Sequence, residues 1–257
     1  MVRKRSCFDV LVSIFLVLSA MIVVFPISIL IYLSLRDGIG SYGDFLVWKP
    51  DLLYSLSNSI FIAFTSSIGT VLVSLPVGFV LAKVSFLLRN LIFCVYVVMT
   101  IIPFQTIMLP QYTLIQDLQI YDTLIAVVLP RIFAPFGVFL LTQSIKQVNN
   151  EVLEAARLET SSNIKIWIHV LIPIIRPALL CVWVICFCDS WNAVSEPLVF
   201  METMTKMPMA VKLDSAYAQM EPALGSAAAV VFLLLPLLIY KAFDSDIQAG
   251  LVELKIK

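Results

Sequence analysis

The residues best placed for polar work lie together in the stretch NNEVLEAARLETSSNIKIWIHVLIPIIRP, from Asn149 to Pro177. It carries Glu151, Glu154, Arg157 and Glu159 between two runs apolar enough to cross a membrane. Asn149 and Asn150 can cap a helix start, and Glu151 and Glu154 fall in or near its first turns, where the helix dipole favours anions. Val152, Ala155 and Ala156 are expected to share one face, kept shallow by the paired alanines, so that another backbone can approach while Glu154 and Arg157 make polar contacts at the edge. The chemistry on offer is docking. The spacing predicts a short amphipathic helix outside the bilayer, over about 150–160, resting on lipid headgroups or against another protein.

Catalytic constellations are missing. The sequence contains no GxxxxGK[ST] phosphate loop, no GxSxG elbow and no HExxH pair. Gly38-x-Gly40-x-x-Gly43 matches a dinucleotide fingerprint on paper, but no strand precedes it, and it reads as loop glycine. The single histidine, His169, has no neighbouring ligand and reads as an interfacial residue. Cys181, Cys186 and Cys188 suit packing inside an apolar run, while Cys7 and Cys94 add no pairing pattern. Arg131 stands out, because an ionised guanidinium inside an apolar span costs on the order of 3 kcal/mol unless it faces water or a partner. It either lines a polar cavity or is satisfied by an ion pair to Asp189 or a snorkelling contact.

The elements that position these residues are transmembrane helices. Of 257 residues, 61% are hydrophobic and 13% charged, outside the range of a soluble domain and within that of an integral membrane protein. The formal net charge of zero gives no footing to a nucleic-acid partner. Apolar runs predict an all-α chain with spans at about 10–35, 57–83, 90–109, 123–146, 166–190 and 224–240, forming one transmembrane domain over 1–257. The first is too long for a signal-peptide core and is expected to remain uncleaved, with Pro26 tolerated inside it.

Twelve of seventeen basic residues fall on the side holding both termini and the 150–160 segment, among them Arg3, Lys4, Arg5, Lys83, Arg89, Arg157, Lys165 and Lys257. The positive-inside rule therefore predicts cytoplasmic termini and a cytoplasmic amphipathic helix.

Glu154-Ala155-Ala156-Arg157-Leu158-Glu159, followed by Ile168, Leu171, Ile172, Pro173 and Pro177, resembles the EAA motif of ABC-importer permeases. Pro103-Phe104-Gln105, Leu109-Pro110 and the Trp191-Asn192 pair are similar to the carbohydrate-uptake, maltose-type branch, and the likeness covers nearly the whole chain. Thr160 stands where the family usually has glycine, and Asn149 where a proline usually precedes the helix. Glycine would supply a left-handed residue ending the helix, which a β-branched threonine does poorly; either Asn163 takes over that turn or the helix runs further.

The resemblance implies a type I importer permease carrying half of a pathway for a sugar or polyol. It implies a second homologous permease, two cytoplasmic ATPase subunits, an extracellular solute-binding protein and a lipid environment in the bacterial cytoplasmic membrane. ATP and Mg would bind the ATPase, and no cofactor this chain. Glu154, Ala155, Ala156, Arg157, Glu159 and Thr160 would form the coupling helix. Gln105, Arg131, Asp189, Trp191 and Asn192 would mark the solute pathway, although a tryptophan at a membrane boundary is ordinarily an anchor. The alternative is an ion-coupled secondary transporter, for which Asp189 is the one candidate coupling carboxylate and no inverted repeat is visible.

Overall fold

The computed structural model describes residues 7–36, 38–47, 50–213 and 222–255. Arg3, Lys4, Arg5, Lys49 and Lys257 of the charge count lie outside the described residues. Among the described residues the ordered elements are helices and no strand occurs. Two compact units emerge, Met1–Leu53 with Leu213–Leu234, and Tyr54–Lys212 with Leu235–Lys257.

In the first unit, α1 (Cys7–Leu35) is mostly apolar, with Asp9, a few serines and Pro26 inside it, and most of its residues from Val12 to Leu35 are exposed, Ser34 being buried. Exposed apolar side chains over such a length must be solvated by lipid or by another subunit. It turns at Gly38, whose φ of +76° glycine adopts without strain, into α2 (Gly40–Val47), where the Tyr42 hydroxyl donates to Ser34 Oγ at 2.8 Å.

The second unit holds the candidate site. Its first element is the main part of α3 (Pro50–Lys83), followed by α4 (Arg89–Met99) and α5 (Phe104–Asp117). The sequence predicts a span at 90–109; in the structure that stretch is bent, α4 against α5 by 102° across Thr100–Pro103. Pro103 cannot donate into a continuing helix and disfavours helical backbone before it, so the chain breaks there. α6 (Leu124–Ile132) is capped by Thr123, whose hydroxyl accepts from Ala126 N, and α7 (Pro135–Gln147) continues the same span after Ala134.

After α8 (Asn150–Glu159) come α9 (Asn163–Ile166), a π-helical turn (Trp167–Leu171) and α10 (Ile172–Ile174). α11 (Arg176–Trp191) leaves at 80° to that preceding segment, so the fifth apolar run is also bent, at Ile175 between Pro173 and Pro177. The short α12 (Ser195–Phe200) and, after residues 214–221, the long α13 (Pro222–Lys255) complete the order. Among the described residues four helical stretches are long and apolar enough to span, and up to six if each bent pair is one span.

Small residues set the packing. A Cβ on Gly69 would lie 2.6 Å from Ile132, one on Gly78 would lie 3.1 Å from Thr142 N, and one on Gly137 would lie 2.5 Å from Ser74 Oγ. With Ser66, Ser67, Thr70 and Ser74 also buried, α3 presents a small polar seam onto which the Ile132 side chain of α6 and the backbone of α7 at Gly137 and Thr142 fit closely. Between apolar helices in lipid, such close approach and not the hydrophobic effect holds the pair. Gly137→Leu should therefore lower the thermal midpoint of the detergent-solubilised protein by several degrees, from overpacking of about 1–3 kcal/mol. Gly43→Leu, where an added Cβ meets nothing within 4 Å, should not; equal midpoints would mean that the seam is looser than these distances say.

A second tie joins the α5–α6 turn to the segment after α12. Asp122, at φ +57°, accepts from the backbone N–H groups of Glu202 and Thr203, both at 2.9 Å, and from Lys206 Nζ at 2.7 Å. These bonds, led by Lys206 and then the Thr203 hydroxyl, hold the Asp122 carboxyl well below the usual carboxylate range. The Lys206 carbonyl accepts in turn from Asn58 Nδ2 at 2.8 Å, which fastens the segment to α3.

Candidate functional site

The α8 helix begins as its sequence predicts. Asn149 is the cap, with extended backbone and a side chain that accepts from Glu151 N at 3.1 Å. Asn150 does something else: its Oδ1 accepts from Lys83 Nζ at 2.8 Å, and the same ammonium donates to the Val148 carbonyl, which pins the start of α8 to the end of α3.

The buried face differs from the expected one. Leu153 and Ala156 pack into the core of Leu141, Ile145, Val148, Ile166 and Leu171, whereas Val152 and Ala155 face outward. Positions three apart share a helix face, so anchoring by Leu153 and Ala156 necessarily turns Val152 and Ala155 the other way. Glu151, Glu154, Arg157 and Glu159 are exposed with them, and Leu158 is 90% exposed at the crest.

Thr160 ends the helix without a left-handed residue. Its backbone is extended, at φ −150° and ψ 138°, a region that β-branched side chains favour, and its N–H still reaches Ala156 O at 3.1 Å. Its hydroxyl accepts from Ser162 N at 3.3 Å, and Asn163 already begins the next helix. Neither expected substitute for the glycine is used, because the exit is extended. His169 lies exposed in the π-turn, its Nδ1 3.0 Å from Lys165 O.

Arg131 unites its two alternative readings. One terminal nitrogen donates to Asp189 Oδ2 at 2.7 Å and to Ser190 Oγ at 3.2 Å, and the other donates to Glu196 Oε1 at 2.6 Å. The Arg131 side chain is 11% exposed, Glu196 16% and Asp189 75%. Thr70 Oγ1 also donates to the Arg131 carbonyl at 2.9 Å. The same three charged residues line the polar end of a cleft of about 460 Å³, walled elsewhere, Gln111 apart, by apolar side chains such as Met99 of α4, Ile107 and Leu114 of α5, and Phe133 just after α6. Two buried polar atoms on its lining residues, Arg131 Nε and Gln111 Oε1, have no hydrogen-bond partner.

The other pathway candidates are not brought to this cleft. Gln105 is exposed and does not line it. Trp191 is 1% exposed and stacked on Phe187 at 5.6 Å, so it is a core residue and neither a boundary anchor nor a free sugar platform. Asn192 closes the end of α11, donating to Cys188 O at 2.8 Å. Glu196 and Gln111 were missed. The available signal was electrostatic: a buried guanidinium calls for more than one exposed carboxylate, and Glu196 is the next acid after Asp189. Among the described residues no group of histidine, cysteine and acidic side chains could hold a metal ion.

Bent apolar helices around a charged cleft, with an anchored amphipathic helix presenting its outer face, define a polytopic membrane transport component. The chain belongs to the family described as binding-protein-dependent transport system inner membrane component, whose model matches residues 74–247. It is 30% identical over 202 residues to the arabinooligosaccharides transport system permease protein AraQ of Halalkalibacterium halodurans, covering 72% of each chain. It is 24% identical to the lactose transport system permease protein LacG of Rhizobium radiobacter, covering 76% of this chain and 72% of that one. It is 28% identical to the sn-glycerol-3-phosphate transport system permease protein UgpE of Escherichia coli, over 57% of this chain and 52% of the other.

The fold matches a chain from the crystal structure of a bacterial ABC transporter involved in the import of the acidic polysaccharide alginate, with TM-score 0.80, 18% identity and coverage of 95% and 99%. The chain is a permease subunit of an ATP-driven importer, in place of the ion-coupled alternative.

Proposed function

We propose that this permease forms half of a membrane pathway for a sugar or related polyol. It pairs with a second homologous permease, receives solute from an extracellular binding protein and is driven by two ATPase subunits that bind ATP and Mg. The relatives' names support the solute class, since arabinooligosaccharides, lactose and glycerol phosphate are all polyhydroxylated. Both termini and α8 lie in the cytoplasm of a bacterial cell, as the distribution of lysine and arginine supports.

The observation that carries the mechanism is Leu158, 90% exposed on a helix whose inner face is already fixed by Leu153 and Ala156. A leucine at a crest flanked by carboxylates gains free energy when a partner's groove covers it, about 1.5–3 kcal/mol for full burial. Glu154, Ala155, Ala156, Arg157, Glu159 and Thr160 belong to this segment, with Ala156 and Thr160 on the inner side and the others on the docking side. Because α8 is pinned by Lys83 and packed on the α9–π-turn segment, a push on its crest is carried to α3 and α11 as a rigid displacement.

In a background free of native cysteine, Leu158→Cys should crosslink to the ATPase through a short thiol–amine reagent, with a yield that changes on ATP binding. Ser161→Cys should react with an impermeant thiol reagent only after the membrane is opened, and Ile39→Cys should react without opening. Crosslinks to lipid amines alone, or labelling of both cysteines from outside, would overturn the docking and the orientation respectively.

A further inference from the structure

The Arg131 cleft carries unequal charge. Its polar end holds one guanidinium against two carboxylates, Asp189 and Glu196, for a formal net charge of −1, and the Asp189 carboxylate is 75% exposed. Only one of its oxygens accepts from Arg131, which leaves the other, on a largely exposed side chain, open to a donor from outside the chain. The rest of the wall is apolar, with Phe133 63% exposed at its rim. A low-dielectric wall around an unbalanced charge focuses its field into the opening, so the excess carboxylate acts over the whole width of a 460 Å³ cleft.

We propose that this cleft is a water-filled section of the solute path that passes neutral and cationic hydroxylated solutes and repels anionic ones, with Asp189 and Glu196 as the residues that set the selection. The inference rests on the permease reading above and adds a charge rule to it. Hydroxyls donate to the open oxygen of Asp189, while the apolar C–H faces of a sugar ring meet the α5 and α6 wall. A uronate carboxylate or a phosphate ester meets a carboxylate that Arg131 has only half neutralised. Arg131 offers such an anion little, because both of its terminal nitrogens already donate to carboxylate oxygens within 2.7 Å and its unpartnered Nε is buried.

The test needs no knowledge of the solute. Phe133→Cys in the cysteine-free, fully assembled transporter places a thiol at the rim, to be reacted with a cationic and an anionic thiosulfonate of equal size. The ratio of cationic to anionic rates, relative to the same ratio for a small free thiol, should exceed unity by about fivefold or more at low salt and fall towards unity as salt screens the field. Adding Asp189→Asn should bring it down severalfold, and Glu196→Gln, which leaves Asp189 paired, should do the same.

A ratio of unity that salt does not change would overturn the charge rule, as would an anionic preference. Failure of both reagents at Phe133→Cys would show a lipid- or protein-filled cleft and overturn the water path. Nucleotide hydrolysis stimulated by the binding protein is measured on the cysteine-free parent: its presence beside a failed ratio overturns the charge rule alone, and its absence overturns the permease reading.

Discussion

Glu154→Lys is expected to leave the permease inserted at normal levels while solute-stimulated hydrolysis falls by about tenfold or more and uptake is abolished. Glu154 sits on the outer side of α8, one turn beyond the capping Asn149 and next to the exposed Ala155. It makes no packing contribution to its own chain, so the substitution does not disturb the fold that Leu153 and Ala156 hold. A partner closing over the Leu158 crest would desolvate Glu154 and fix its hydrogen bonds, and reversing a charge in such a place costs several kcal/mol. A helix lying on anionic headgroups predicts the opposite sign, because lysine is attracted there. Reconstituted hydrolysis with and without the binding protein separates the two, and unchanged stimulation in the variant would return α8 to a headgroup-bound helix.

Arg131→Met should cost the most stability of any single change in the cleft. Methionine fills a similar volume without a donor, so Glu196, at 16% exposed, loses its counter-ion and cannot regain full hydration, while Asp189 can turn to water. Removing one partner of a buried pair costs on the order of 3–5 kcal/mol, and the exposed Asp189 arm contributes little of that. The thermal midpoint of the assembled complex in detergent should drop by several degrees. Arg131→Met combined with Glu196→Gln should recover most of the loss, because a neutral amide needs no counter-ion. If the double variant is no better than the single one, the cluster is held by something other than the ion pair with Glu196.

The two variants test sites of unequal visibility in the sequence. Glu154 belongs to a contiguous run whose helical spacing, asparagine cap and EAA pattern are all local, and α8 forms over Asn150–Glu159 as that run predicts. Glu196 reaches Arg131 across sixty-five positions of sequence, and nothing local marks it as the second counter-ion.

By itself the sequence determined that this is an all-α membrane chain, where its apolar runs begin and end, and that one polar helix stands between the fourth run and the fifth. These follow from hydropathy and spacing, which each segment carries alone. Tertiary structure decided which side of each helix is used. Leu153 and Ala156 turn inward only because the α3–α7–α11 core receives them, and Trp191 is buried because Phe187 stacks on it. It also decided that the third and fifth runs bend by 102° and 80°. Proline marks both places, but a proline permits a kink without fixing its angle, which depends on what the two halves pack against. The charged cleft is likewise tertiary, since one guanidinium and two carboxylates become a site only when the ends of α6, α11 and α12 are brought within hydrogen-bond reach.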